Sequence, residues 1–198
     1  SDYFMQVNMP ANADIISVFA NPVFLKNTDN ENTKAQFSQD NKLWEFEPLP
    51  FSELEANHIQ DIFINHTVNL LTGKNATNDN FMSDQTRNSN IIHIASHGFF
   101  NESNLEEVGI ATSILELDEH GKEVTSAGIL AMREVLYKPF KANLVVISGC
   151  ETTLGKHISG EGFNSLSRGL LSQGVGSVIG TIWSISDRAT PIFMQEFY

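Results

Sequence analysis

Two stretches decide how this chain folds: Ile91-Ile92-His93-Ile94-Ala95-Ser96-His97-Gly98 and Leu144-Val145-Val146-Ile147-Ser148-Gly149-Cys150. Each opens with a short run of β-branched and apolar residues that is hydrophobic on both faces. That is what a strand looks like when helices cover both sides of a parallel sheet. Parallel strands end at one carboxyl edge, and open α/β sheets bind their ligands there. Each run is followed almost at once by a side chain capable of chemistry, His97 after the first and Cys150 after the second. If the two strands are neighbours, these side chains face each other across the crevice.

The same pattern extends in both directions. Ile15 to Ala20, Thr67 to Leu71 and Ser177 to Ile182 read as further strands, with amphipathic segments between them, so the fold class is α/β with a mostly parallel central sheet sandwiched by helices. Ser52 and Glu55 have the S-x-x-E spacing of a capping box, which predicts a helix to about Asn65 with Leu54, His58, Ile59 and Ile62 on its buried stripe. Further helices are expected over Asn78 to Arg87, Ser126 to Leu136 and Gly162 to Gln173, the last ending at Gly174. Asn27 to Lys42 is polar enough to read as an exposed loop. Ser113 to Thr125 reads as a small accessory hairpin outside the main sheet, turning at Asp118 to Lys122.

Composition narrows the function. Of 198 residues, 41% are hydrophobic and 18% charged, which suits a packed core. Acids exceed bases 24 to 12, giving a net charge of −12, so neither nucleic acid nor an anionic membrane is an expected partner, whereas a basic peptide would be attracted. The single cysteine excludes an internal disulfide framework. No apolar run reaches the roughly 20 residues of a membrane span, and the start lacks the pattern of a signal peptide, so a cytoplasmic location is expected. The first residue is Ser1, and the last, Tyr198, falls inside a helical pattern over Ala189 to Tyr198. We therefore expect one domain over residues 1–198, a fragment lacking its C-terminal end and any preceding repeat domain.

The His and Cys have a chemical use together. A thiol with a pKa of about 8.5 is mostly protonated at neutral pH, and a positioned imidazole converts it to the thiolate and later protonates the leaving group. Gly98 and Gly149 give a substrate backbone room to approach, and the N–H groups of Gly98 and Cys150 are candidates for an oxyanion hole. The sequence separation of 150 − 97 = 53 is close to the roughly 50 residues between the caspase His and Cys. Taken singly, each residue has a plainer role, since a lone Cys at a strand end is usually a small buried hydrophobe. His93 points into the strand interior as a core histidine, His157 and Glu161 read as loop and helix-start residues, and His58 and His66 do not suggest zinc.

His93 to Phe100, Leu144 to Gly155, Ser159-Gly160-Glu161-Gly162 and Ser177 to Asp187 together resemble a CHAT domain, over roughly residues 10 to 198. The resemblance implies the caspase–hemoglobinase fold and a cysteine peptidase with a His-Cys dyad, with no metal or other cofactor in the chemistry. On this chain it makes His97 the general base and acid, Cys150 the nucleophile and Gly98 part of the oxyanion hole. The related separases have a W-x-x-x-D segment whose acid pairs with a basic P1 side chain. That makes Asp187 a candidate substrate-binding residue, with Trp183 beside it as a wall for the aliphatic stem.

The implied partners are a protein or peptide substrate and a regulatory protein or attached tetratricopeptide-repeat domain. The sequence departs from the family in having Gly149 where Ala is usual and Thr153 where Gly is usual. Two other readings stay open, a catalytically silent caspase-like scaffold and a cysteine hydrolase acting on small amides.

Overall fold

The computed structural model describes residues 15–23, 35–39, 42–46, 48–100, 108–117, 120–121, 123–149, 161–181 and 187–198. The chain runs β1 (Ile15–Pro22), β2 (Ala35–Gln39), β3 (Lys42–Phe46), α1 (Pro50–Ile62), β4 (Thr67–Gly73), α2 (Asn78–Phe81), α3 (Asp84–Arg87) and β5 (Ile91–Ala95). It continues through β6 (Gly98–Phe100), β7 (Val108–Leu117), β8 (Glu123–Ala131), α4 (Met132–Val135), β9 (Leu144–Ile147), α5 (Glu161–Ser172), β10 (Ser177–Gly180) and α6 (Thr190–Phe197). Five strands form one sheet in the order β10-β9-β5-β1-β4, and every neighbouring pair is parallel. The two decisive runs are thus adjacent, at the centre of the sheet.

Strand alternation then divides the core in two. Ile92, Ile94, Val145 and Ile147 point to one face, where they pack with Leu166 and Leu170 of α5 and with Phe81, Phe140 and Leu130. Ile91, Ala95, Leu144 and Val146 point to the other, against Ala56 and Ile59 of α1 and Met194 of α6. Burying both faces requires helices on both, which is why these strands carry no polar stripe. This is the expected caspase-like α/β architecture. Two antiparallel additions accompany it, a three-stranded β6-β7-β8 sheet and the β2–β3 pair.

Several local expectations are corrected. Ser126 to Ala131 is strand, not helix: β8 pairs with β7 along its whole length, and only Met132 to Val135 is helical. The accessory hairpin is accordingly longer than Ser113 to Thr125. The polar segment Asn27 to Lys42 contains β2 and the first residue of β3, because ladder bonds come from the backbone and need no apolar side chain. Asn78 to Arg87 is two short helices, capped by the side chains of Thr77 and Ser83.

The capping box at Ser52 does not form. The helix starts earlier, with Pro50 at its first turn, and Ser52 donates to the Leu49 carbonyl and accepts from the Asn21 N–H. The buried face of α1 is Ser52, Glu55, Ala56 and Ile59, which leaves Leu54 and Ile62 of the expected stripe exposed.

Ile92 is fully buried at the centre of β5. Ile92→Ala should lower the unfolding free energy by about 2–5 kcal/mol. Leu54→Ala, on an exposed helix face, should cost less than about 1 kcal/mol. Denaturant titration of both variants checks the assignment of these faces.

Candidate active site

The site begins with a register. Ile91 pairs with Leu144, and each following residue of β5 with the next of β9, up to Ile94 with Ile147. The step between partners is 147 − 94 = 53, the same as 150 − 97. The ladder continues past the strands, since the Ser148 N–H donates to the Ile94 carbonyl at 2.7 Å. Beyond it the two chains touch. A Cβ on Gly149 would fall well inside contact distance of the Ser96 carbonyl oxygen, so this approach needs a residue without a side chain. Thr181, just after β10, braces the other side by donating to the Gly149 carbonyl at 2.6 Å.

His97 leaves β5 at this edge and is 4% exposed. Its ring stacks on Phe46 at the end of β3, with centroids 5.6 Å apart and the planes 19° from parallel. Gly98 is the first residue of β6 and pairs with Ile110 of β7. Cys150, the residue after Gly149, lies outside the described residues, as do Trp183 and the loop 151–160.

Asp187 is described, and it stands beside Gly149. A small solvent-open hollow of about 20 Å³, room for about one water molecule, is walled by Leu49, Ser52 and Glu55 around the start of α1, by Ser148 and Gly149 after β9, and by Asp187 and Thr190 at the start of α6. His97 does not line it. One Asp187 oxygen, Oδ2, accepts the Phe51 N–H at 3.1 Å, so this acid from the far end of the chain caps the first turn of α1. Partial burial raises the Asp187 carboxyl above its ordinary pKa of 3.8, the Phe51 N–H pulls it back, and the nearby Glu55 carboxylate adds to the rise.

Glu55 is the residue that reading the sequence assigned elsewhere. It is 1% exposed, and its Oε1 lies 2.8 Å from Nε2 of the fully buried His93. The other ring nitrogen of His93, Nδ1, lies 3.0 Å from the Tyr198 hydroxyl. Burial and the Glu55 charge push the Tyr198 phenol far above its usual pKa, so it stays neutral and can donate to Nδ1. A carboxylate only accepts, which leaves Nε2 as the protonated nitrogen. His93 is therefore the satisfied core histidine expected from its position. The partner residues Glu55 and Tyr198 could not be read from the sequence, because they are 38 and 105 positions away. Phe46 ends β3 and meets His97 only in the fold, so nothing local to it signals that contact. Among the described residues, no three His, Cys, Asp or Glu side chains group to hold a metal ion, and no helix is long and apolar enough to cross a membrane.

Two outcomes follow. Gly149→Ala, the residue usual in the family, should force the Ser96 and Gly149 backbones apart and cost about 1–3 kcal/mol of stability in denaturant titration. Asp187 has a folded pKa above its unfolded one, so its contribution to stability is present below about pH 3.8 and is lost as pH rises through the folded value. Asp187→Asn keeps an acceptor for Phe51 and removes that loss. The variant should therefore gain modestly on the parent as pH is raised from 3 to 7, which thermal melts across that range would show.

Comparison with curated proteins finds no match. The family model for the CHAT domain matches residues 6–198, nearly the whole chain. With its parallel sheet, its paired strand exits and this match, the chain belongs to the CHAT domain family, whose fold is caspase-like.

Proposed function

We propose that this chain is a cysteine endopeptidase domain, the catalytic part of a larger regulated protein, with His97 and Cys150 as its dyad. The supporting observation is the β5–β9 register, in which the step of 53 between paired residues is also the step from His97 to Cys150. In this reading the Cys150 thiolate attacks the carbonyl carbon of the scissile peptide, and the N–H groups of Gly98 and Cys150 receive the oxyanion. His97 gives its proton to the departing amine as the C–N bond breaks. Water then attacks the thioester while His97 takes a proton from it, and the acid product leaves with the thiol regenerated.

In this reading Asp187, which stands beside Gly149, is the acid that favours a basic P1 residue, with Trp183 as the wall for its stem on the strength of the family resemblance. A partly desolvated carboxylate with a raised pKa and no Lys or Arg partner among the described residues costs stability, and such costs concentrate at functional sites. The acidic chain as a whole attracts basic peptides.

A second reading, a silent scaffold that binds partners through the same fold, is favoured by one observation: His97 is 4% exposed beneath Phe46. The rate of Cys150 alkylation against pH separates the two. A working dyad reacts fast at neutral pH, and His97→Ala slows it by at least about tenfold. Cys150→Ala abolishes peptide cleavage without changing the melting temperature. Slow alkylation indifferent to His97, with no cleavage of basic-P1 peptides, would leave the scaffold.

A further inference from the structure

We propose that Phe46 is a positioning residue for His97: its ring fixes the plane of the imidazole and offers its face to the imidazolium formed when the thiol gives up its proton. This rests on reading His97 and Cys150 as a dyad. The two rings lie 5.6 Å apart between centroids and 19° from parallel, as in an offset stack. Both partners are buried, Phe46 at 1% and His97 at 4% exposure.

Phe46 is among the largest fully buried side chains, yet among the described residues it belongs to neither of the apolar clusters that pack the two faces of the main sheet. Its burial does not serve those cores. The β2–β3 pair brings the ring to the carboxyl edge, with Phe46 standing opposite Ala35. The chain that follows is tied down at once, because the Phe51 N–H donates to Asp187 and the Asn21 N–H donates to the Ser52 hydroxyl at 2.9 Å. Phe46 is thus held between a ladder and a helix start.

The backbone of His97 is fixed by β7, since the Ala111 N–H donates to the His97 carbonyl at 2.8 Å and Gly98 pairs with Ile110. Those bonds do not set the two side-chain torsions. A stacked neighbour restricts the second torsion by holding the ring plane, and a general base works only while its nitrogen stays aimed at the proton it takes. The face of an aromatic ring also attracts a cation, most strongly where water is kept out, so the contact favours the protonated imidazole. An aliphatic side chain would fill the same space without that attraction and without a flat face.

The test reads Cys150 of the full chain with iodoacetamide, a reaction in which the thiolate displaces iodide after the thiol proton has passed to His97. Phe46→Leu should slow alkylation at pH 7 by about tenfold. It should leave the rate at pH 10 unchanged, because a thiol with a free pKa of about 8.5 ionises there without help. Phe46→Tyr, which keeps the flat ring, should restore the pH 7 rate to within about threefold. Melting curves of both variants check folding. In the unaltered chain, nuclear Overhauser contacts between the Phe46 and His97 ring protons should be present, a reading that needs no variant to fold. Their absence overturns the proposal. So does an equal loss at pH 7 and pH 10, which reports lost structure, or a faster rate, which makes Phe46 a cover. If His97→Ala slows alkylation at pH 7 and Phe46→Leu does not, the dyad stands and this proposal falls. If neither substitution slows it, both fall.

Discussion

The in-register pairing of β5 with β9 is the constraint on which the site depends. Parallel ladder bonds fix the level of one strand against the other, and a slip of one residue would turn every side chain to the opposite face. Such a slip would bury the α1-facing residues Leu144 and Val146 against α5 and send Val145 and Ile147 the other way. Because both faces are dry cores of different shape, the register is strongly specified. Its consequence reaches beyond the strands, through the Ser148 to Ile94 bond, to the point where Gly149 rests on the Ser96 backbone. The chemistry-bearing positions begin one residue further on in each chain.

The two faces of the sheet carry different duties. The α5 face is apolar and supplies burial. The α1 and α6 face is crossed by one polar line, Tyr198 to His93 to Glu55, which runs from the last helix through the central strand to the pocket wall. A buried polar chain of this sort is weak evidence for stability, because desolvating its groups offsets the hydrogen bonds they make. Apolar residues of equal volume would hold α1 on the sheet as well. What the polar line adds is orientation: it fixes a carboxylate at the pocket, and it ties the position of α6 to that of α1.

How much of this was legible in the sequence follows from the range of each interaction. The strands of the main sheet could be read because burial on both faces writes itself locally, as runs such as Leu144 to Ile147. The misread elements were settled by distant partners. Ala127, Leu130 and Val135 have a spacing that suits a helix, yet the backbone of Glu123 to Ala131 is claimed by β7. Glu55 sits three residues after a serine, as in a capping box, yet its carboxylate is claimed by His93 on another element. For the candidate site, Asp187 could be singled out by family resemblance, and Gly149 by its place before the cysteine. Glu55 and Ser148, which line the same pocket, and Phe46, which stacks on His97, had no local signature of those contacts.

Asp187 shows why the pocket and the fold cannot be separated. The start of α1 has unsatisfied N–H groups and the positive end of a helix dipole, and no side chain of its own caps it. The acid that answers this need comes from the turn before α6, so closing that turn onto α1 both completes the helix and walls the pocket. The partial desolvation that raises its pKa is the common cost of the two roles.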